Sequence, residues 1–330
     1  MTLSTRGGLR DITNCRMETN GEQDQIWEDL SGKHQPAAPV GGKVARRSIG
    51  QIARDHMDFG DPQQVTEYAV DIYNFLSAKE QSAEMRVHRG FLDGAAEVSG
   101  RMRGILLDWL IEVHYKFKLL PETLYLCVNL IDRFLQKDKC IPKRRLQLMG
   151  GTCMLVAAKY EEYRPPEVRD ICYIMDNAYQ KEDVLEMEVQ VLNTLQFSLT
   201  TASPLQFLEF FAKGFCGRDS ELHYLAQFCL ECSIIDAEMT TYLPSQLACV
   251  ALFTASRVMY PDNHNKMHEM PGPYDKELML RMESELVKVI TAQKDKALGK
   301  KYAKDRYKNV MSYVRKFELG ATAGGEISGQ

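Results

Sequence analysis

No apolar run in the chain approaches the roughly 18 residues that a membrane-crossing helix needs, so no membrane partner is expected. Charge of neither sign dominates: 41 Lys and Arg stand against 45 Asp and Glu, a net of −4. Nucleic-acid surfaces are usually basic and phosphate contacts need an excess of Lys and Arg, so no nucleic-acid partner is expected. There is no Walker loop, dinucleotide fingerprint or zincin helix, and the glycine pairs at Gly7 and Gly41 follow no predicted strand. The seven histidines are dispersed, and His114 has no carboxylate pattern around it that would make it a base. An enzyme reading has little support, and no cofactor or metal is expected.

Nine cysteines are an odd number, scattered singly through apolar stretches, and no secretory signal opens the chain. They read as reduced thiols of a cytosolic or nuclear protein. Cys229 and Cys232 form a C-x-x-C, but inside a predicted helix and without a second pair. A buried apolar role is the expectation, a metal site the alternative.

Aromatics are scarce at the start: Trp27 and Phe59 are the only ones in residues 1–60. That segment, with stretches such as "SGKHQPAAPVGGK", cannot bury enough apolar surface to offset the entropy of ordering. It is expected to be disordered, as are residues 319–330.

Order is expected from "DPQQVTEYAVDIYNFLSAKE", where Val65, Tyr68, Ile72, Phe75 and Leu76 recur at helical spacing and Pro62 suits a helix start. A looser stretch, Val87 to Gly100, follows. The segment Met102 to Lys116 carries Met102, Ile105, Leu106, Trp109, Leu110 and Val113 on one broad face, with Ser99 as cap. Pro121 opens a second helix that runs to about Lys137. A third, about Lys143 to Tyr160, is apolar nearly all round and carries Gly150, Gly151, Ala157 and Ala158, as a central helix with close neighbours would. A short helix after "RPPE" and another from Lys181 to Leu195 complete five. The pattern then recurs: "SPLQFLEFFAKGF", "ELHYLAQFCLECSII", "LPSQLACVALFTASRVMY" and "DKELMLRMESELVKVITAQ". Pro142 and Pro244 open corresponding stretches about one hundred residues apart. The fold class is all-α, with two tandem five-helix repeats, an extra N-terminal helix and a disordered N-terminal tail. The expected boundaries are 1–60, 61–200, 201–318 and 319–330.

The stretch Met102 to Leu135, "MRGILLDWLIEVHYKFKLLPETLYLCVNLIDRFL", resembles the first cyclin box, specifically that of B-type cyclins. Leu146 to Leu199 continues the resemblance, dense from Pro62 to Leu199 and looser through "LPSQLA" and "DRYKNV". The resemblance implies a non-catalytic subunit that binds and activates a cyclin-dependent kinase, docks its substrates and is destroyed to time the G2/M transition and mitotic exit. A transcriptional-type cyclin or a cyclin-fold transcription factor is the alternative.

Residue by residue, Lys159 and Glu188 resemble the paired charges that hold the kinase near its mobile C-helix. Tyr160, Glu161 and Glu162 lie beside them, and Phe197 and Leu199 resemble apolar anchors of that surface. The stripe Met102, Ile105, Leu106, Trp109 resembles the docking groove for substrate and inhibitor peptides with a basic-x-Leu motif. Leu146 and Gln147 would flank it, and Glu112 would face the peptide's cation. A helical apolar stripe is more often core, but Leu107, Leu110 and Ile111 offer another side for that. Gly104 stands where the family has alanine, which softens the helix by roughly 0.5–1 kcal/mol. Arg103 and Asp132 fall in apolar helices, where unpaired charge is costly; the family pairs them, and they are assigned to structure.

R-x-x-L occurs four times, starting at Arg6, Arg89, Arg103 and Arg145, and only the first has an asparagine eight positions on. "RGGLRDITN" resembles the destruction box of mitotic cyclins at Arg6, Leu9 and Asn14. That implies recognition by the anaphase-promoting ubiquitin ligase, with Lys33 and Lys43 as the acceptors available before Lys79. The expected location is nucleus and cytoplasm.

Overall fold

The computed structural model describes residues 68–213, 216, 220–260 and 275–315. The 1–60 tail with Arg6, Leu9, Asn14, Lys33 and Lys43, the 319–330 tail and Pro62 lie outside the described residues. Among the described residues there is no strand.

Helix α1 (Ala69–Glu80) comes first. A five-helix unit follows: α2 (Gly100–Phe117), α3 (Pro121–Lys137), α4 (Leu146–Glu161), α5 (Val168–Ile174) and α6 (Lys181–Thr194). The second unit is α7 (Pro204–Lys213), α8 (Glu221–Ile235), α9 (Pro244–Met259), α10 (Lys276–Gln293) and α11 (Ala297–Tyr302). Local chemistry sets the starts. Ser99 Oγ accepts from Met102 N at 3.3 Å and caps α2. Pro121, Pro204 and Pro244 each hold the first position of a helix, where a missing N–H leaves nothing unpaired.

Helix α4 is the centre of the first unit, buried on all sides from Leu148 to Ala158. Its glycines admit α2 at close range. A Cβ at Gly150 would lie 2.7 Å from Leu106 Cδ1, and one at Gly151 would lie 3.8 Å from the Trp109 ring. Helix α9 takes the same place in the second unit, buried from Leu247 to Ser256.

Helix α1 packs on the second unit, although it precedes the first. The Tyr73 ring lies 5.9, 5.0 and 6.3 Å from the rings of Phe207, Phe210 and Phe211 on α7. Buried Glu80 accepts from Ser245 N at 2.9 Å and Ser245 Oγ at 2.7 Å at the start of α9. Burial raises the Glu80 pKa, and these two hydrogen bonds oppose the rise.

The units are also tied by charge. Arg103 on α2 holds Asp132 on α3 through two bonds of 2.5 and 2.6 Å. Its remaining donors reach the carbonyls of Ile235 at 2.6 Å and Ile234 at 2.9 Å, at the end of α8. Asp132 also accepts from Thr240 Oγ1 at 3.1 Å. The pair itself lies within the first repeat, and its remaining contacts join it to the second. In the second unit, Lys301 Nζ lies 2.7 Å from both Glu231 carboxylate oxygens, and Tyr302 donates to Glu231 at 2.7 Å. This anchors α11 to α8, and Ala297 N at the start of α11 donates to Asp108 Oδ1 on α2 at 3.3 Å.

Candidate functional site

Two surfaces of the first unit carry the residues singled out by sequence. The first is built from the end of α4, the middle of α6 and the turn after α6. Lys159 Nζ meets both oxygens of Glu188, at 2.6 and 2.8 Å. The lysine side chain is 45% exposed and the glutamate 13%, so the cation faces outward over a mostly sheltered carboxylate. Tyr160 is exposed and its hydroxyl lies 2.6 Å from Thr200 Oγ1.

Phe197 is 65% exposed and has φ +56°, following Gln196 at φ +53°. Its N–H donates to Leu192 O at 2.9 Å, closing the end of α6. A bulky residue in the left-handed region is uncommon and costs conformational energy. Here that turn sends an aromatic ring out into solvent. Leu199 is half-buried beside the core.

Glu161 and Glu162 differ. Glu161 is half-buried, and burial, with the charges of Glu122 and Glu162, raises its pKa. Glu162 turns inward: it accepts from Leu120 N and Thr123 Oγ1, both at 2.6 Å. It supplies the N-terminal cap of α3 that Leu120 cannot. Its carboxylate is engaged within the chain.

The second surface lies between α2 and α4. Ile105, Glu112 and Gln147 are exposed, and Met102 and Trp109 are half-buried. Leu106 and Leu146 are buried and form the floor, with Leu106 seated on Gly150. Leu107, Leu110 and Ile111 face the core, as their phase on α2 required. A depression continues the groove past Trp109, walled by Glu112 and Lys116 on one side and Tyr173, Ile174 and Asp176 on the other. A Cβ at Gly104 would touch nothing within 4 Å.

Sequence reasoning missed part of the outward apolar surface. Val189, next to Glu188, is 57% exposed, and Leu185 is exposed one turn before it. Helix α6 buries Val184, Met187 and Val191; Leu185 and Val189 form a second apolar row four residues apart, which was the available signal. On α1, Leu76 points inward, whereas Tyr68, Ile72 and Phe75 point outward. Helical spacing alone does not say which of two apolar rows is covered.

The remaining candidates are structural. His114 is buried, with Nε2 2.8 Å from Leu120 O; burial and the nearby charge of Lys301 lower its pKa to about 4. Cys229 and Cys232 are buried within α8, and burial raises both thiol pKa values. Among the described residues no group of histidine, cysteine and carboxylate side chains has a metal-binding arrangement.

Comparison with known proteins agrees with this architecture. The description "Cyclin, N-terminal domain" matches residues 71–200 and "Cyclin, C-terminal domain" matches residues 202–316. The G2/mitotic-specific cyclin-B2 of Gallus gallus is 42% identical over 71% of this chain and 57% of its own length. The protein of the same name from Mesocricetus auratus is 40% identical over 89% of this chain and 74% of its own length. The chain thus spans a little over half the length of the first of these relatives. Among solved structures, a chain of the yeast RNA Pol II CTD kinase CTDK-1 complex superposes with a TM-score of 0.52 at 12% identity. That match covers 74% of this chain and 85% of the other, and at such identity it concerns the fold alone.

Proposed function

The chain belongs to the cyclin family, and from that premise we propose that it is a B-type activating subunit of a cyclin-dependent kinase. The observation that carries this reading is the Lys159–Glu188 pair, outward-facing and bordered by exposed Tyr160, Val189 and Phe197. Exposed apolar side chains grouped around a fixed charge suit a partner surface. A kinase needs its strand lysine–helix glutamate ion pair formed and its activation loop open. A rigid helical surface that binds only that arrangement shifts the kinase population towards it.

The α2–α4 groove docks substrate and inhibitor peptides with a basic-x-Leu motif. The apolar row over Leu106 takes the leucine, and Glu112 takes the cation. The segment Arg6–Leu9–Asn14 acts as a destruction box read by the anaphase-promoting ubiquitin ligase, with Lys33 and Lys43 as acceptors. Timed destruction then ends kinase activity at mitotic exit. The protein works in nucleus and cytoplasm and does no catalysis itself.

The decisive test is co-purification of the kinase with wild-type and Lys159→Ala chains, alongside circular dichroism. Loss of the kinase from a fully helical variant supports the assignment. Undiminished kinase activation by the variant overturns it.

A further inference from the structure

Beyond Glu112 the surface next to the groove changes sign. Lys118 is the left-handed C-cap of α2, and it is exposed. Lys304 and Arg306, just after α11, are exposed. Lys304 Nζ sits 3.6 Å from the centre of the Tyr115 ring. None of the ion pairs among the described residues uses Lys118, Lys304 or Arg306. Lys118 follows Tyr115 by three residues at the end of α2, and Arg306 follows Lys304 by two, so the three cations gather near the Tyr115 ring, with exposed Asp305 the one acid between them.

The register on α2 links this point to the groove. Glu112 and Tyr115 are three residues apart and share a face. In a basic-x-Leu peptide the cation precedes the leucine. With the cation at Glu112 and the leucine over Met102 to Trp109, the peptide runs antiparallel to α2. Residues before the cation then head towards Tyr115 and Lys118. At 1.5 Å per helical residue, Glu112 to Lys118 is about 9 Å. An extended chain covers that in about three residues.

We propose that Lys118, Lys304 and Arg306 extend the docking groove and bind Asp or Glu residues about two to four positions before the cation of a docking peptide. The proposal rests on the groove reading above. Free peptides with such residues are favoured by complementary charge, and the preference weakens with salt. Exposed pairs are individually weak, so three together give about a tenfold gain in affinity.

The test uses fluorescence anisotropy with the full chain and synthetic peptides carrying Arg-x-Leu, preceded by glutamates, by glutamines or by phosphoserines. Expected is binding of the glutamate peptide about tenfold tighter than the glutamine peptide at low salt, a gap that closes at high salt. The Lys118→Gln, Lys304→Gln, Arg306→Gln triple variant, checked by circular dichroism, should bind the glutamine peptide like wild type and lose the preference. Equal binding of glutamate and glutamine peptides to wild type overturns the proposal and leaves the groove standing. A gain with phosphoserine alone also overturns it, since the occupant is then a modified one. Failure of every peptide to bind removes the groove reading and the proposal together. An unfolded triple variant leaves the wild-type salt titration to decide: a salt-independent gap overturns the proposal.

Discussion

The Arg103–Asp132 and Lys159–Glu188 pairs are both bidentate, with nitrogen–oxygen distances of 2.5 and 2.6 Å in one and 2.6 and 2.8 Å in the other. Their surroundings are opposite. Both members of the first are 0% exposed, while the lysine of the second is 45% exposed. The buried arginine spends its other donors on carbonyls of α8, so every hydrogen bond it makes is internal. The exposed lysine spends its donors on a carboxylate and leaves its outer face to solvent. Burial, more than bond geometry, decides how costly it is to the fold to remove one member of such a pair.

The largest effect is expected from Arg103→Ala. It strands Asp132 in the interior and removes the donors to Ile234 and Ile235, costing about 3–5 kcal/mol. Urea denaturation should show this as a fall in midpoint, with any loss of kinase following from loss of structure. A small shift would erase the contrast between the two pairs. Lys159→Ala should cost about 2–5 kcal/mol in kinase affinity but under about 1 kcal/mol in stability, read by titration calorimetry and by melting. Equal losses in both measurements would make this pair structural as well.

A second contrast follows the same rule. Gly150→Ala places a methyl against Leu106 and should destabilise by about 1–3 kcal/mol while raising the floor of the groove. Gly104→Ala meets open space and should stabilise by about 0.5–1 kcal/mol, with peptide docking unchanged. Thermal melting of the two variants should move in opposite directions. An effect absent at neutral pH and confined to acid concerns His114. Its folded pKa, about 4, lies below the ordinary 6.5, so the unfolded chain binds the proton more readily. Its contribution to stability is complete above about pH 6.5 and is lost as pH falls towards 4, at no more than about 1.4 kcal/mol per pH unit. The His114→Gln variant should show a flatter stability profile across that window; an unchanged slope would mean that other groups dominate it.

The tandem helical architecture was legible because apolar periodicity, prolines at helix starts and small residues in α4 and α9 all agreed. The core side of α2 was legible for the same reason, since Leu107, Leu110 and Ile111 share a phase. Long-range partners were not. Nothing in the sequence around Glu162 announces that it caps a helix 39 residues away in sequence, nor that Arg103 reaches carbonyls at Ile234 and Ile235. Nor does the sequence around Lys301 announce that this lysine is buried against Glu231. Such partners depend on how units pack, and local pattern does not record packing.

Helix α1 also imposes a schedule on the emerging chain. Its Glu80 waits for Ser245, 165 residues later, and its Tyr73 for the phenylalanines of α7. At a synthesis rate of about 5–20 residues per second, that delay is on the order of ten seconds or more. Until α7 has been made, Tyr73 has none of these rings to pack against, although the whole first unit is already there. Closing such a distant contact slows folding and leaves a premature fragment with an unmet need for a partner. A release of the chain after the first unit would therefore yield a species for chaperones or proteases rather than a half-working subunit.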